Sequence, residues 1–192
     1  MDMTGERLIA APKPAVWAAL NDPQVLAACI PGCESLERTS ETEMTAAAAV
    51  KLGPVAAKFT GKLALSDLDP PNGYKLSGEG RGGPAGFAKG AAQVRLTEQP
   101  DGATLLSYTV NAQVGGKIAQ VGGRLIEATA KAMSDQFFKC FAEKVEMAAA
   151  PPPPAETIPA PRAGDGLLAR LMALLGRLFG QRGKSAAETT RA

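Results

Sequence analysis

Between residues 42 and 114 the chain repeats one device: a run of alternating residues, then a turn. The turn signals are Gly53-Pro54, Pro70-Pro71-Asn72-Gly73, Gly82-Gly83-Pro84 and Pro100-Asp101-Gly102. Each places glycine or proline where the backbone must reverse. They divide the region into five predicted strands, 42–52, 55–68, 74–81, 86–98 and 103–114. Connections this short join neighbouring strands antiparallel. Side chains alternate between the two faces of a strand, and in each run one parity is apolar. Examples are Met44 to Leu52, Val55 to Leu65 and Leu106 to Val114, taken every second residue, while the residues between are mostly Thr, Lys, Ser, Glu and Arg. A sheet with one apolar face needs a cover. Lys117 to about Met147 supplies one, a long helical period with Ile118, Val121, Leu125, Ala132, Phe137, Cys140 and Phe141 on one side.

Upstream, residues 3–10 alternate weakly and form a predicted first strand. Pro14 opens a short helix, and Asp22-Pro23 opens a second that stops at Pro31-Gly32. The order is strand, two short helices, a long antiparallel sheet and one long helix. This is an α+β chain whose curved sheet wraps a C-terminal helix, a helix-grip arrangement that normally leaves an apolar cavity. The inward parity here is rich in Ala and Gly, which would leave room where a filled core uses larger residues. The candidate cavity residues are Phe59, Gly61, Leu63, Tyr74, Leu76, Gly78, Ala92, Val94, Leu106, Tyr108 and Val110 from the sheet, with Val121, Leu125 and Phe137 from the helix. Tyr74 and Tyr108 are candidates to orient a polar headgroup. Pro31-Gly32 and residues 82–86 are candidate rims, or else ordinary turns. The competing reading is that the helix packs closer, with Gly122-Gly123 allowing the contact.

The chain has no histidine, which removes the usual general base and the commonest metal ligand. No paired carboxylates, phosphate loop or triad appears, so no catalytic residue and no metal site is assigned. Cys29, Cys33 and Cys140 are an odd set. They do not read as a disulfide framework, and two thiols without histidine make a poor zinc site. The first residues lack the apolar core of a secretory signal, so a cytoplasmic protein is expected.

Charge is divided unevenly. Residues 1–150 hold 15 Lys and Arg against 16 Asp and Glu, and residues 151–192 hold 6 against 3. The positive part begins with a proline-rich linker, 148–165, expected to be flexible and extended. It continues into a predicted amphipathic helix over 166–184. On a helical wheel Leu167, Leu168, Leu171, Leu174, Leu175, Leu178 and Phe179 share one broad face, with Arg170 and Arg177 on the other. At ~1.5 Å per residue the segment is shorter than a bilayer core of ~30 Å. It suits the membrane surface, a partner's groove or its own domain. Residues 185–192 read as a disordered end, and 1–147 as the folded domain.

Several segments resemble one family. They are Leu26 to Leu36 with its Pro31-Gly32-Cys33, Val50-Lys51-Leu52-Gly53-Pro54-Val55, Phe59-Thr60-Gly61, Val114 to Ile126, and Asp135-Gln136-Phe137-Phe138. These are similar to the carbon monoxide dehydrogenase CoxG family, within the START/Bet v 1-like (SRPBCC) superfamily, over about residues 1–147. The resemblance implies a helix-grip fold and an accessory, non-enzymatic role beside a molybdenum-containing dehydrogenase. It also implies recruitment of that enzyme to the inner face of the cytoplasmic membrane. Joined to the small-residue sheet, it gives an expectation of a prenyl quinone, menaquinone or ubiquinone, carried in the cavity for electron transfer. A ligand-free adaptor and an enzyme acting on a hydrophobic substrate are the alternatives. No nucleic-acid partner is expected.

Overall fold

The computed structural model describes residues 1–150. Strand β1 (Asp2–Ile9) is followed by helices α1 (Lys13–Leu20) and α2 (Pro23–Cys29). Then come β2 (Cys33–Arg38), β3 (Glu43–Leu52), β4 (Val55–Asp69), β5 (Gly73–Arg81), β6 (Phe87–Glu98) and β7 (Thr104–Gly115). A single-turn helix at Gly83–Ala85 joins β5 to β6, another at Lys117–Val121 follows β7, and α3 (Gly123–Ala149) closes the domain. The seven strands form one antiparallel sheet in the order β1-β7-β6-β5-β4-β3-β2. The meander is therefore sequential except at its edge, where β1 pairs with β7.

Each predicted turn lies between two strands, and the cross-strand register keeps the apolar parities on one face. Ala46 pairs with Gly61, Gly61 with Gly80, Gly80 with Ala88 and Ala88 with Val114. Proline sets the helix starts: α1 has Pro14 in its first turn, and α2 follows Asp22, whose carboxylate accepts the Gln24 N–H at 2.8 Å.

Three expectations are corrected. Strand β2 adds a strand to the sequence-derived set; Cys33–Arg38 is short, strongly charged and at the sheet edge, so it carries no apolar period. The long helix does not begin at Lys117. Gly116 (φ 86°) and Gly122 (φ 96°) sit in conformations that side chains rarely adopt, and they bracket a separate turn before α3 starts at Gly123. The third concerns the cysteines: Cys29 and Cys140 form a disulfide, with Cα atoms 5.3 Å apart, and Cys33 is the free one. The bonded pair lies 111 positions apart in sequence, and only the docking of α2 on α3 brings the two together. The folded domain also extends slightly past 147, to the end of α3 at Ala149.

The core lies where α1, α2 and the C-terminal half of α3 meet one half of the concave face. Ile9, Val16, Leu20, Leu65, Tyr74, Leu96, Leu106, Phe141 and Val145 pack there. Phe141, Ile9, Leu106 and Val16 are fully buried. Buried Thr104 donates its hydroxyl to the Ala11 carbonyl at 2.7 Å, so its polar group is satisfied. No helix among the described residues is long and apolar enough to cross a membrane. The linker 148–165 (from residue 151), the tail helix 166–184 and the end 185–192 lie outside the described residues, as do Leu167, Leu168, Arg170, Leu171, Leu174, Leu175, Arg177, Leu178 and Phe179.

Candidate functional site

The other half of the concave face is not filled. There the inward positions are Ala46, Ala48 and Val50 on β3, Gly78 and Gly80 on β5, Ala88, Gly90 and Ala92 on β6, and Val110 and Ala112 on β7. With Phe59, Gly61 and Leu63 of β4, Leu76 of β5 and Ile118 they line an apolar hollow of about 410 Å³. That volume lies in the range of ligand pockets, ~300–1,000 Å³. A larger groove of about 630 Å³ runs along the opposite face, but Lys62, Glu79, Lys89 and Asn111 make it polar.

The hollow exists because the inward residues are small while α3 stays at a distance fixed elsewhere. The helix is held at its C-terminal half by Phe141 and Val145, which are buried. Its N-terminal half packs lightly: Arg124, Leu125, Glu127 and Ala128 are exposed. Between the two halves, Arg7 of β1 makes an ion pair with Asp135, and its guanidinium lies 5.8 Å from the Phe138 ring centre. Beside it Tyr108 stacks on Phe138, with centroids 4.8 Å apart, and its hydroxyl is 3.1 Å from that of Ser134. The packed core thus ends at a polar and aromatic partition, and the hollow begins beyond it.

The sequence-derived candidates divide accordingly. Phe59, Gly61, Leu63, Leu76, Gly78, Ala92 and Val110 line the hollow, and of these Leu63 and Leu76 also pack against the core cluster. Tyr74, Val94, Leu106, Tyr108 and Phe137 belong to or pack against the core cluster. Tyr74 is buried, with the Trp17 ring at 5.8 Å, so it does not orient a headgroup. Val121 and Leu125 do not line the hollow either; Leu125 is exposed and reaches back toward Gly53 in the β3–β4 turn. Residues 82–86 close one end of the sheet, where the Gly86 backbone lies against Gly115 and Gly116 too closely for a side chain. Gly32 makes a similar backbone contact with Ala49.

Ala46, Ala48, Val50, Gly80, Ala88, Gly90 and Ala112 also line the hollow and are absent from the sequence-derived candidates. Their small size is the signal that could have found them. Large apolar residues fill space and gather in the core, whereas alanine and glycine on the same face mark where space is left.

Thr60, Lys62, Glu79 and Lys89 also border the hollow, but strand alternation turns their side chains to the other face. Among the described residues no cluster of Cys, Asp and Glu could hold a metal ion, and no buried side-chain polar atom lacks a partner. Burial pushes the Tyr74 phenol up to about 12, so it stays neutral. Burial also raises the Cys33 thiol, opposed by the Ser35 backbone. Arg7, the one inward arginine among the described residues, is engaged by Asp135. What the hollow offers a ligand is apolar contact.

The family model for the carbon monoxide dehydrogenase protein CoxG matches residues 5–146. Among solved structures, the chain is similar to a conserved protein from Geobacillus kaustophilus, with 33% identity, a TM-score of 0.73, and 78% of this chain and 98% of that one covered. It is also similar to the ZhuI aromatase/cyclase from Streptomyces sp. R1128, at 16% identity and a TM-score of 0.58, covering 78% of this chain and 96% of that one. A START superfamily protein from Mycobacterium smegmatis matches at 12% identity and a TM-score of 0.58, covering 77% and 98%. These last two establish the shared helix-grip fold and nothing further. Among curated proteins none matches the chain.

Proposed function

The chain belongs to the carbon monoxide dehydrogenase CoxG family, and from that premise we propose that it is an accessory protein that carries a prenyl quinone between the membrane and a molybdenum-containing dehydrogenase. Family membership implies association with carbon monoxide dehydrogenase; the cargo and the membrane step are our reading. The observation that carries it is the apolar hollow of about 410 Å³ beside a fully packed core. A domain needing only a docking surface gains nothing from leaving half its concave face unfilled. Each Å² of apolar ligand buried there contributes ~25 cal/mol, so an isoprenoid chain suits it better than a polar metabolite.

In this reading the dehydrogenase reduces the quinone, the hollow shields the hydrophobic chain in transit, and the basic C-terminal segment docks on the lipid surface. The chain's own residues supply shape and exclusion of water, and no step is assigned to a side-chain acid or base. The protein is placed on the cytoplasmic face of the membrane, where the quinone pool is accessible.

The test is to incubate the full chain with vesicles containing menaquinone or ubiquinone, reisolate it, and identify bound lipid by mass spectrometry. Near-stoichiometric quinone is expected, and Ala48→Phe with Ala92→Phe, which fill the hollow, should abolish it. Recovery of no quinone with the unaltered chain would leave the ligand-free adaptor as the better account. Deleting 166–184 should weaken binding to vesicles, and undiminished binding would remove the tail from the scheme.

A further inference from the structure

The sheet has two ends, and their charges are opposite. At one end lie the β2–β3, β4–β5 and β6–β7 turns. Residues 39–43, 67–72 and 97–103 hold Glu41, Glu43, Asp67, Asp69, Glu98 and Asp101 and no Lys or Arg, although Lys75 pairs with Asp67, and Lys13 and Arg38 reach Asn72 and the Glu41 carbonyl at this end. At the other end lie the β3–β4 turn, the β5–β6 connection and the segment leading from β7 into α3. Residues 51–58, 81–89 and 115–126 hold Lys51, Lys58, Arg81, Lys89, Lys117 and Arg124 and no Asp or Glu, with Asp2, held by Asn111, and Glu127 flanking them. All six are exposed. Glu34 pairs with Lys58 and Glu79 with Arg81. Lys51, Lys89, Lys117 and Arg124 make no ion pair among the described residues. A net charge of −1 over residues 1–150 hides this separation.

The basic end has two further properties. Phe87 is 42% exposed and Leu125 39%, so large apolar side chains stand among the cations. The hollow also occupies the half of the concave face toward this end, since Val50, Phe59, Gly80, Ala88 and Ala112 lie near the corresponding strand ends.

We infer that this end of the domain is a second lipid-docking surface, which seats the three basic tips on an anionic bilayer with Phe87 and Leu125 at the headgroup level. Basic residues are drawn to the negative surface potential of an anionic leaflet, and exposed apolar side chains between them are the pattern of shallow interfacial insertion. Those cations stand on three separate connections spread over one end of the sheet, which suits a broad, laterally adaptable surface of phosphates. An acidic protein patch is the competing partner. The inference does not depend on the C-terminal segment: anchoring by that segment and docking by this end succeed or fail separately.

The experiment uses the full chain with Lys51→Glu, Lys89→Glu, Lys117→Glu and Arg124→Glu combined, thermal unfolding serving as the check on folding. Flotation with phosphatidylcholine vesicles containing phosphatidylglycerol should show affinity at least tenfold weaker than the parent chain. Vesicles of phosphatidylcholine alone should show little difference between the two. A photo-crosslinking residue at position 87 should label lipid, and one at position 68, on the acidic end, should not. Unchanged flotation, or labelling at 68 as strong as at 87, overturns the proposal. So does a position-87 adduct found only on the dehydrogenase in a vesicle-plus-enzyme mixture, which would assign the surface to a protein. Should the combined variant not fold, the two labelling positions in the otherwise unaltered chain decide alone.

Discussion

The two halves of the concave face are built from the same strands, in the same register, with the same parity, yet one is solid and the other empty. Toward the acidic end the inward residues are Leu65, Tyr74, Leu96 and Leu106, and α1, α2 and Phe141 meet them. Toward the basic end most are small, Ala46, Gly78, Gly80, Gly90 and Ala112, with Phe59, Leu63 and Leu76 the bulky exceptions, and among the described residues Ile118 is the one lining residue from outside the sheet. Backbone geometry cannot distinguish the halves; side-chain volume does. Stability is concentrated on one side of the Arg7–Asp135 and Tyr108–Phe138 partition, and capacity on the other.

Damage to the two halves should therefore differ in kind. The largest loss is expected on the solid side, where Phe141→Ala should cost about 3–5 kcal/mol in denaturant unfolding, because a fully buried aromatic leaves a cavity. A cost below that range would mean that the core is as loosely filled as the hollow. Reducing the Cys29–Cys140 bond, or replacing both with alanine, should lower stability by about 2–4 kcal/mol, since it opens a loop of more than a hundred residues. That loss should appear as the difference between chemical unfolding with and without a thiol reductant, and quinone retention should survive it under native conditions.

Alkali sharpens the same contrast. The Tyr74 phenol is pushed up to about 12 in the folded chain by burial, against an ordinary value near 10 in the unfolded one. Its neutral form is thus favoured by folding. That contribution is fully present below about pH 10 and is lost as pH rises toward 12, a fall of about 2–3 kcal/mol. Stability followed against pH should show this loss, and Tyr74→Phe should remove it. The smallest effect belongs to the hollow: Ala92→Leu should change stability by less than about 1 kcal/mol, because the added methylenes enter vacant space where a packed site would resist them. It should still weaken retention of quinone. A loss of about 1–3 kcal/mol there would mean that the hollow closes on itself in solution.

Much of the fold is legible in the chain alone. Gly-Pro and Pro-Asp-Gly punctuation locates five strands, and alternation tells which face is apolar, because both signals are local. The division of that face is not legible. Parity places Tyr74 and Gly78 on the same side but says nothing of where α3 is anchored, which Phe141 and Val145 decide from far along the chain. For the same reason Tyr74 and Leu106 read in sequence as ligand contacts although they belong to the core, while Ala48 and Gly90 carry only their small size as a sign. Charge separation between the ends is equally hidden, since acidic and basic turns alternate along the sequence and cancel in any running average.

The disulfide has a mechanical side. Everything beyond Ala149 attaches to the domain through the last turns of α3, so any pull on the C-terminal segment enters there. Held by packing alone, a helix loaded at its end peels away turn by turn. Here peeling stops at Cys140, where a covalent bond passes the load to α2 and so to the body of the domain. A tether placed after such a rivet can be tugged without drawing α3 off the sheet.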